Sequence, residues 1–502
     1  GGTSRTSDPT TVMRNEKVSM PDRVAAVDQF WAQQQGLGAV GREAMKSLAW
    51  SNKNPGPVRV RALEILADQP GEADKSDFRA MTRLMLPNET EFTVVRFIAA
   101  RAGRGGWREH AGPLARAWSR SLASVPDAER PERAALLALY PESRVEQTLM
   151  SIFATPATGE GRQLEWAEKA RLAAWEVLAR LDPQGAQRSS LLASAPAAPG
   201  DRLMENLRAA AADLRAVPIT AAQLKWVNTL RDFDDPQRGA ANRQWWGQAS
   251  AALASLAPGQ QATIALRHAE PVRWCSVHRP DWLRQDRNTL LDRLRGALKG
   301  QERAARFGSS GSGFGTALDD IAQKLSWADL LTIAVFIEAI RPSSSESGNA
   351  ASAAWIADGL WTQAEQDRAD TSTEYGGLIA WTETAAGAAS GGGRWKATLY
   401  PPRATQRFGD ERFVASDDML NDGGRALAHY HFHAQRIDNA DYAGPGPGDL
   451  LYATEQGRAC LVFTPLRRGT LAVSYYQPGS VVVELGTLTA SPAAAAASVK
   501  GR

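Results

Sequence analysis

The chain has 502 residues, 43% of them hydrophobic and 23% charged, with a formal net charge of +3, which predicts a folded protein of more than one domain. So balanced a charge gives no global case for nucleic acid or an anionic membrane as partner, and no run reaches the roughly 18 apolar residues of a membrane-spanning helix. The two cysteines, Cys275 and Cys460, exclude a disulfide framework and a cysteine zinc site, and they fit a reducing, cytoplasmic compartment.

The chain opens at Gly1 with GGTSRTSDPTT instead of a methionine, as a processed end or a cloning remnant would, and residues 1–20 read as disordered or processed. Residues 21–305 read as helical. VGREAMKSLAWS, GPVRVRALEILADQP, EFTVVRFIAARAG and AEKARLAAWEVLARLDP each place small and branched apolar residues on one face and arginine on the other. Their irregular spacing makes a degenerate repeat that resembles stacked HEAT-like helical hairpins; a plain irregular helical domain is the alternative. Residues 306–344 begin as a Gly/Ser-rich linker, RFGSSGSGFGTALDD. No strand precedes it and no Gly-Lys-Ser/Thr closes it, so it is not read as a phosphate loop. The apolar run WADLLTIAVFIEAI follows, and then a helix, AASAAWIADGLWTQAEQ.

Beyond Asp370 the texture changes. YGGLIAW, RWKATLYPP, ALAHYHFHA, ACLVFTPL, TLAVSYYQPG and VVVELGTL are short, β-branched and aromatic, and broken by Gly, Pro and Asp. They predict strands of an α+β domain over 345–488, and residues 489–502 read as a disordered tail.

Three of the six histidines lie in HYHFH, at 429, 431 and 433. On a strand they share one face, where they form either a polar, hydrogen-bonded surface or part of a metal site. AGPGPGDLLYA places Asp449 after a rigid turn at the start of a helix, from which a carboxylate can return as a third ligand. Two histidines, an aspartate and an open fourth position form a catalytic zinc arrangement. TSTEYGGLIAW sets Glu374 before a strand, as a general base or as an ordinary exposed carboxylate.

Glu-x-Gly-Gly before a strand, a Tyr-His-x-His strand, and a Pro-containing turn ending in Asp together resemble the JAMM (JAB1/MPN/Mov34) metalloprotease domain over 345–488. By that resemblance Glu374 takes the place of the general base, His431 and His433 those of the histidine ligands, and Asp449 that of the carboxylate ligand. Tyr430 matches an aromatic commonly found before the first ligand. The sequence departs from the family at Ala434, where proline is usual, in a longer connection from His433 to Asp449, and at Gly446, where a serine helps hold the oxyanion. Tyr442 or a turn N–H would have to substitute for that serine. His429 reads as a packing or supporting residue, and Asp438 and Asp441 are rival ligands.

The resemblance implies a zinc-dependent hydrolase of peptide or isopeptide bonds, acting on a peptide or on a ubiquitin-like modifier conjugate, with the helical region recruiting a protein partner. The competing expectation is a protein-binding module whose JAMM-like domain has lost catalysis. A cupin would need another histidine beyond His433, and none occurs. NRQWWGQ reads as helix packing.

Overall fold

The computed structural model describes residues 8–120, 125–183, 185–195, 198–304, 316–342, 350–383 and 392–497. The chain divides into two compact units, residues 1–201 and 202–502.

The first unit is helical, and the four arginine-and-alanine segments quoted above fold as the helices Ala39–Trp50, Gly56–Ala67, Phe92–Gly105 and Arg162–Leu181. Helices near in sequence pack together, adjacent or with one or two α-helices between them: Ala39–Trp50 lies on Gly56–Ala67, Phe92–Gly105 on Pro131–Leu139, and Arg162–Leu181 on both Ala111–Ser119 and Val145–Ala154. The apolar stripes meet at Leu63, Ile98, Leu136 and Leu149, all fully buried. Several arginines are buried as well, each with a partner: Arg59 with Glu89, Arg130 with Glu132 and Arg171 with Asp201. A buried guanidinium is tolerated only when paired and hydrogen-bonded in this way.

The second unit holds a six-stranded sheet in the order β2-β1-β3-β4-β5-β6. The strands are β1 (Gly376–Glu383), β2 (Gly393–Leu399), β3 (Ala428–Phe432), β4 (Cys460–Arg467), β5 (Thr470–Gln477) and β6 (Val481–Thr489). Every adjacent pair is antiparallel except β3 and β4, which run parallel. A parallel neighbour needs a crossover, and the helix Pro447–Gln456 lies within it. Each of the six segments expected to be a strand is one.

The division of the chain falls well before the expected domain border in 306–344. The helices from Arg202–Asp213 to Arg287–Leu298 do not continue the first unit; they share one core with the sheet, in which Leu230, Trp274 and Leu294 join Phe336, Tyr430 and Phe463. Trp327–Ile340 is not a connecting helix either. It is apolar on all sides and buried along its length except at Glu338, as such a helix must be. The Gly/Ser-rich stretch at 305–315 and residues 343–349 lie outside the described residues.

The ends also differ from expectation. Residues 1–7 and 498–502 lie outside the described residues, but Asp8 caps a helix at Pro9–Arg14. The tail expected from 489 onward instead completes β6 and forms the helix Pro492–Ala497. Ser491 before that helix donates its hydroxyl to Asp358 at 2.8 Å. Among the described residues no helix is long and apolar enough to cross a membrane.

Candidate metal centre

All five residues of β3 are buried. Alternation sends Tyr430 and Phe432 into the main core with Phe463, and His429 and His431 to the opposite face. The helix Pro447–Gln456 covers that opposite face through Ala453, which packs with Cys460, Val462 and Tyr476. β3 ends at Phe432, but the His433 N–H still donates to the Phe463 carbonyl at 2.9 Å. The parallel ladder therefore holds His433 in register beyond the strand.

Asp449 is the third residue of the helix Pro447–Gln456 and accepts the Gly446 N–H at 2.7 Å. This bond aims the carboxylate back at the sheet. Asp449 Oδ1 lies 3.1 Å from His431 Nε2 and Oδ2 lies 3.3 Å from His433 Nε2. The two Nε2 atoms are 3.2 Å apart. A tetrahedral site with zinc–ligand bonds of about 2.05 Å has edges of about 3.3 Å, so the spacing matches three corners of one.

The outer nitrogens decide what the inner ones offer. His433 Nδ1 sits 2.9 Å from the Tyr442 carbonyl, an acceptor only, so Nδ1 carries the hydrogen and the neutral ring presents a bare Nε2. His431 Nδ1 faces the Tyr476 hydroxyl at 3.3 Å, and Phe413 stacks on the His431 ring at 5.3 Å and 16°. Once no proton sits on either Nε2, two imidazole lone pairs and a carboxylate converge on one point. Such a donor set fits a divalent ion with borderline-soft preferences.

Glu374 is buried, not an exposed carboxylate. Gln435 Nε2 donates to its Oε1 at 3.3 Å. Glu374, His431 and His433 bring ligand atoms within 4.8 Å of one another, so two ligand sets share the histidine pair. The set containing Asp449 sits at bonding-edge distances of 3.1 to 3.3 Å, with Glu374 close beside the same histidines. Burial raises the Glu374 carboxyl above its ordinary range, with Asp449 and Asp410 adding to the rise and the two histidines opposing it. Asp449 is held well below its ordinary range: burial alone would raise it, but the two histidines outweigh that effect. The pocket opens on one side, since the side chains of His433 and Asp449 keep 12% and 15% exposure against 1% for His431.

The other expected residues fall into place around this cluster. His429 is buried, with Nδ1 on the Tyr452 hydroxyl at 2.7 Å and, among the described residues, no partner for Nε2. Tyr442 meets the cluster through its carbonyl, while the residue as a whole is half exposed. The N–H of Gly446 is engaged by Asp449. Asp438 and Asp441 are exposed. Ala434 is fully buried.

Several contributors carry no motif. Asn439 donates to the His433 carbonyl and to Gln435 Oε1, both at 2.8 Å. Asp367, fully buried, accepts the Tyr375 N–H through one oxygen and, among the described residues, has no partner for the other. Burial pushes its carboxyl up to about 8; the Tyr375 N–H opposes this, and the charges of Glu374 and Asp410 add to it. The chain matches no family model, no curated protein and no solved structure.

Proposed function

We propose that the second unit is a zinc-dependent hydrolase of peptide or isopeptide bonds of the JAMM type. One observation carries this reading: His431, His433 and Asp449 converge at tetrahedral-edge distances with both outer imidazole nitrogens engaged. These three residues would hold the ion. When bound, zinc supplies Lewis acidity to a water and to the scissile carbonyl.

The remaining chemistry belongs to the chain. Burial leaves the Glu374 carboxylate poorly solvated and therefore a stronger base than in water. It takes the proton of the attacking water and returns it to the leaving amine. Gln435 orients that carboxylate, and Asp410, whose carbonyl accepts the other Gln435 bond at 2.6 Å, fixes the amide in turn. A peptide, or a ubiquitin-like modifier tail joined to lysine, is the proposed substrate, with the helical first unit engaging a protein partner.

The second reading is a binding module without catalysis, and Gly446 favours it. That position has no hydroxyl, and its N–H is already bonded to Asp449. The losses from a missing oxyanion donor are on the order of 100- to 1,000-fold.

The test is elemental analysis of the full chain after dialysis against a weak chelator, paired with hydrolysis of a panel of peptides and modifier fusions. The reading expects about one zinc per chain, far less in His431→Ala, and hydrolysis that a strong chelator stops. Zinc in neither protein would sink both the site and the enzyme. Zinc without hydrolysis would leave the binding module.

A further inference from the structure

In the first unit, a groove of about 570 Å³ runs between the end of the helix Glu72–Met85 and the helices Ala111–Ser119 and Arg162–Leu181. Thr155 and Pro156 line it, and they also line a second groove of about 470 Å³ floored by Met150 and Leu191. The two adjoin at this shared wall and are taken together as one channel. Its walls expose two large apolar side chains side by side with arginines: Leu84 is 38% and Trp166 41% exposed.

The charge in the channel is one-sided. Arg83 and Arg116 line it, and among the described residues neither has an ion-pair partner. The unit's habit is otherwise: the lining Arg171 is paired with Asp201, and the one lining acid, Glu109, is taken by Arg79. Burial lowers the pKa of Arg116, with Glu165 opposing weakly. A guanidinium that has lost part of its water and gained no carboxylate is an unfilled half of a charge-assisted pair.

We infer that this channel binds an extended acidic peptide segment of a partner protein, with an Asp or Glu of the segment on Arg116 and Arg83 and a neighbouring large apolar side chain against Trp166 and Leu84. A channel of two adjoining grooves suits an extended chain at about 3.3 Å per residue. The paired arginine forks select carboxylate over amide, and the apolar wall beside them supplies an anchor. The inference concerns the first unit alone and stands whether or not the second unit hydrolyses anything.

The probe is a randomised peptide library displayed on phage and selected on the full chain. The selected sequences should couple Asp or Glu to a nearby Leu, Phe, Met or Trp. A synthetic consensus peptide should bind more weakly as salt rises. Its affinity should fall roughly 30-fold or more in Arg116→Glu, and clearly in Trp166→Ala. A consensus peptide with its acid changed to lysine should regain binding to Arg116→Glu, a result that a misfolded variant could not give. The inference is overturned if no peptide is enriched, if enriched peptides lack acidic residues, or if they bind Arg116→Glu and Trp166→Ala as tightly as the parent.

Discussion

Gly446 donates its backbone N–H to Asp449 Oδ2 at 2.7 Å, and that same oxygen faces His433 Nε2 at 3.3 Å. The turn therefore spends on aiming the carboxylate a donor that an oxyanion would otherwise use. A Cβ at Gly446 would meet nothing closer than Asp449 Oδ2 at 3.7 Å, and φ there is −83°, so a side chain fits without strain. Gly446→Ser should raise hydrolysis, by up to about 100-fold if the missing donor limits the rate, with zinc content unchanged. Unchanged or lower turnover in a zinc-loaded Gly446→Ser protein would show that the hydroxyl is not what the site lacks.

Two ligand sets share His431 and His433, and paired variants separate them. Glu374→Gln should keep its zinc and lose roughly 100- to 10,000-fold in kcat, whereas Asp449→Asn should lose the metal. Elemental analysis of the two proteins decides. Zinc lost from Glu374→Gln but kept by Asp449→Asn would make Glu374 the ligand and Asp449 a neighbour.

The pH dependence follows from His433. Burial lowers its pKa, but the hydrogen bond to Asp449 and the charges of Asp449 and Glu374 outweigh this and push it up to about 9 in the metal-free protein. The folded state then holds the proton more tightly than an unfolded chain, whose histidine titrates near 6.5. This contribution to stability is fully present below about pH 6.5 and is lost as pH rises through about 9. Asp449 acts oppositely, since its depressed pKa stabilises above about pH 4 and is lost on acidification. Zinc needs the bare Nε2 and must displace the His433 proton below about pH 9. The gap in Tm between zinc-loaded and metal-free protein should therefore widen from about pH 6.5 to 9 and then level off. A gap that is constant across this range would contradict the assignment.

The paired glycines after Glu374 have a steric cause. A Cβ on Gly377 would strike the Thr398 carbonyl and the Tyr430 hydroxyl, and one on Gly376 the Phe413 ring and the Tyr430 carbonyl. β1 is thus pressed between its two neighbours at the point where it delivers Glu374. Gly377→Ala should destabilise the second unit by about 1–3 kcal/mol, seen as a lower urea midpoint of the transition reported by tryptophan fluorescence. A midpoint equal to the parent's would mean that the strands part at no cost.

The local pattern was readable wherever one residue type dictates one geometry. The six strand segments announce themselves by β-branched and aromatic runs, and the Pro-Gly-Asp start of the helix between β3 and β4 is a terminus signal. Periodicity fails at the unit border because it reports that a face is buried and not what buries it. Trp226, Val227 and Leu230 form an ordinary helical stripe, yet Trp226 donates to the Gly424 carbonyl at 2.8 Å and lies 3.6 Å beneath the Arg458 guanidinium. Both partners are some two hundred residues away in sequence. The supporting shell of the cluster is illegible for the same reason. Phe413 and Tyr476 have no fixed offset from the histidines, and only the folded sheet brings them there.

The parallel pairing of β3 and β4 gives the cluster a mechanical meaning. His431 and His433 belong to the near end of the crossover and Asp449 to the helix that begins its return, so an ion shared by them clasps residues 434–448 at both ends. Occupancy and the rigidity of that stretch would then become a single equilibrium, and protease nicking between the clasp points would fall as metal is supplied and rise as it is withdrawn. If the site takes a metal, the loop that frames it would report whether the ion is there.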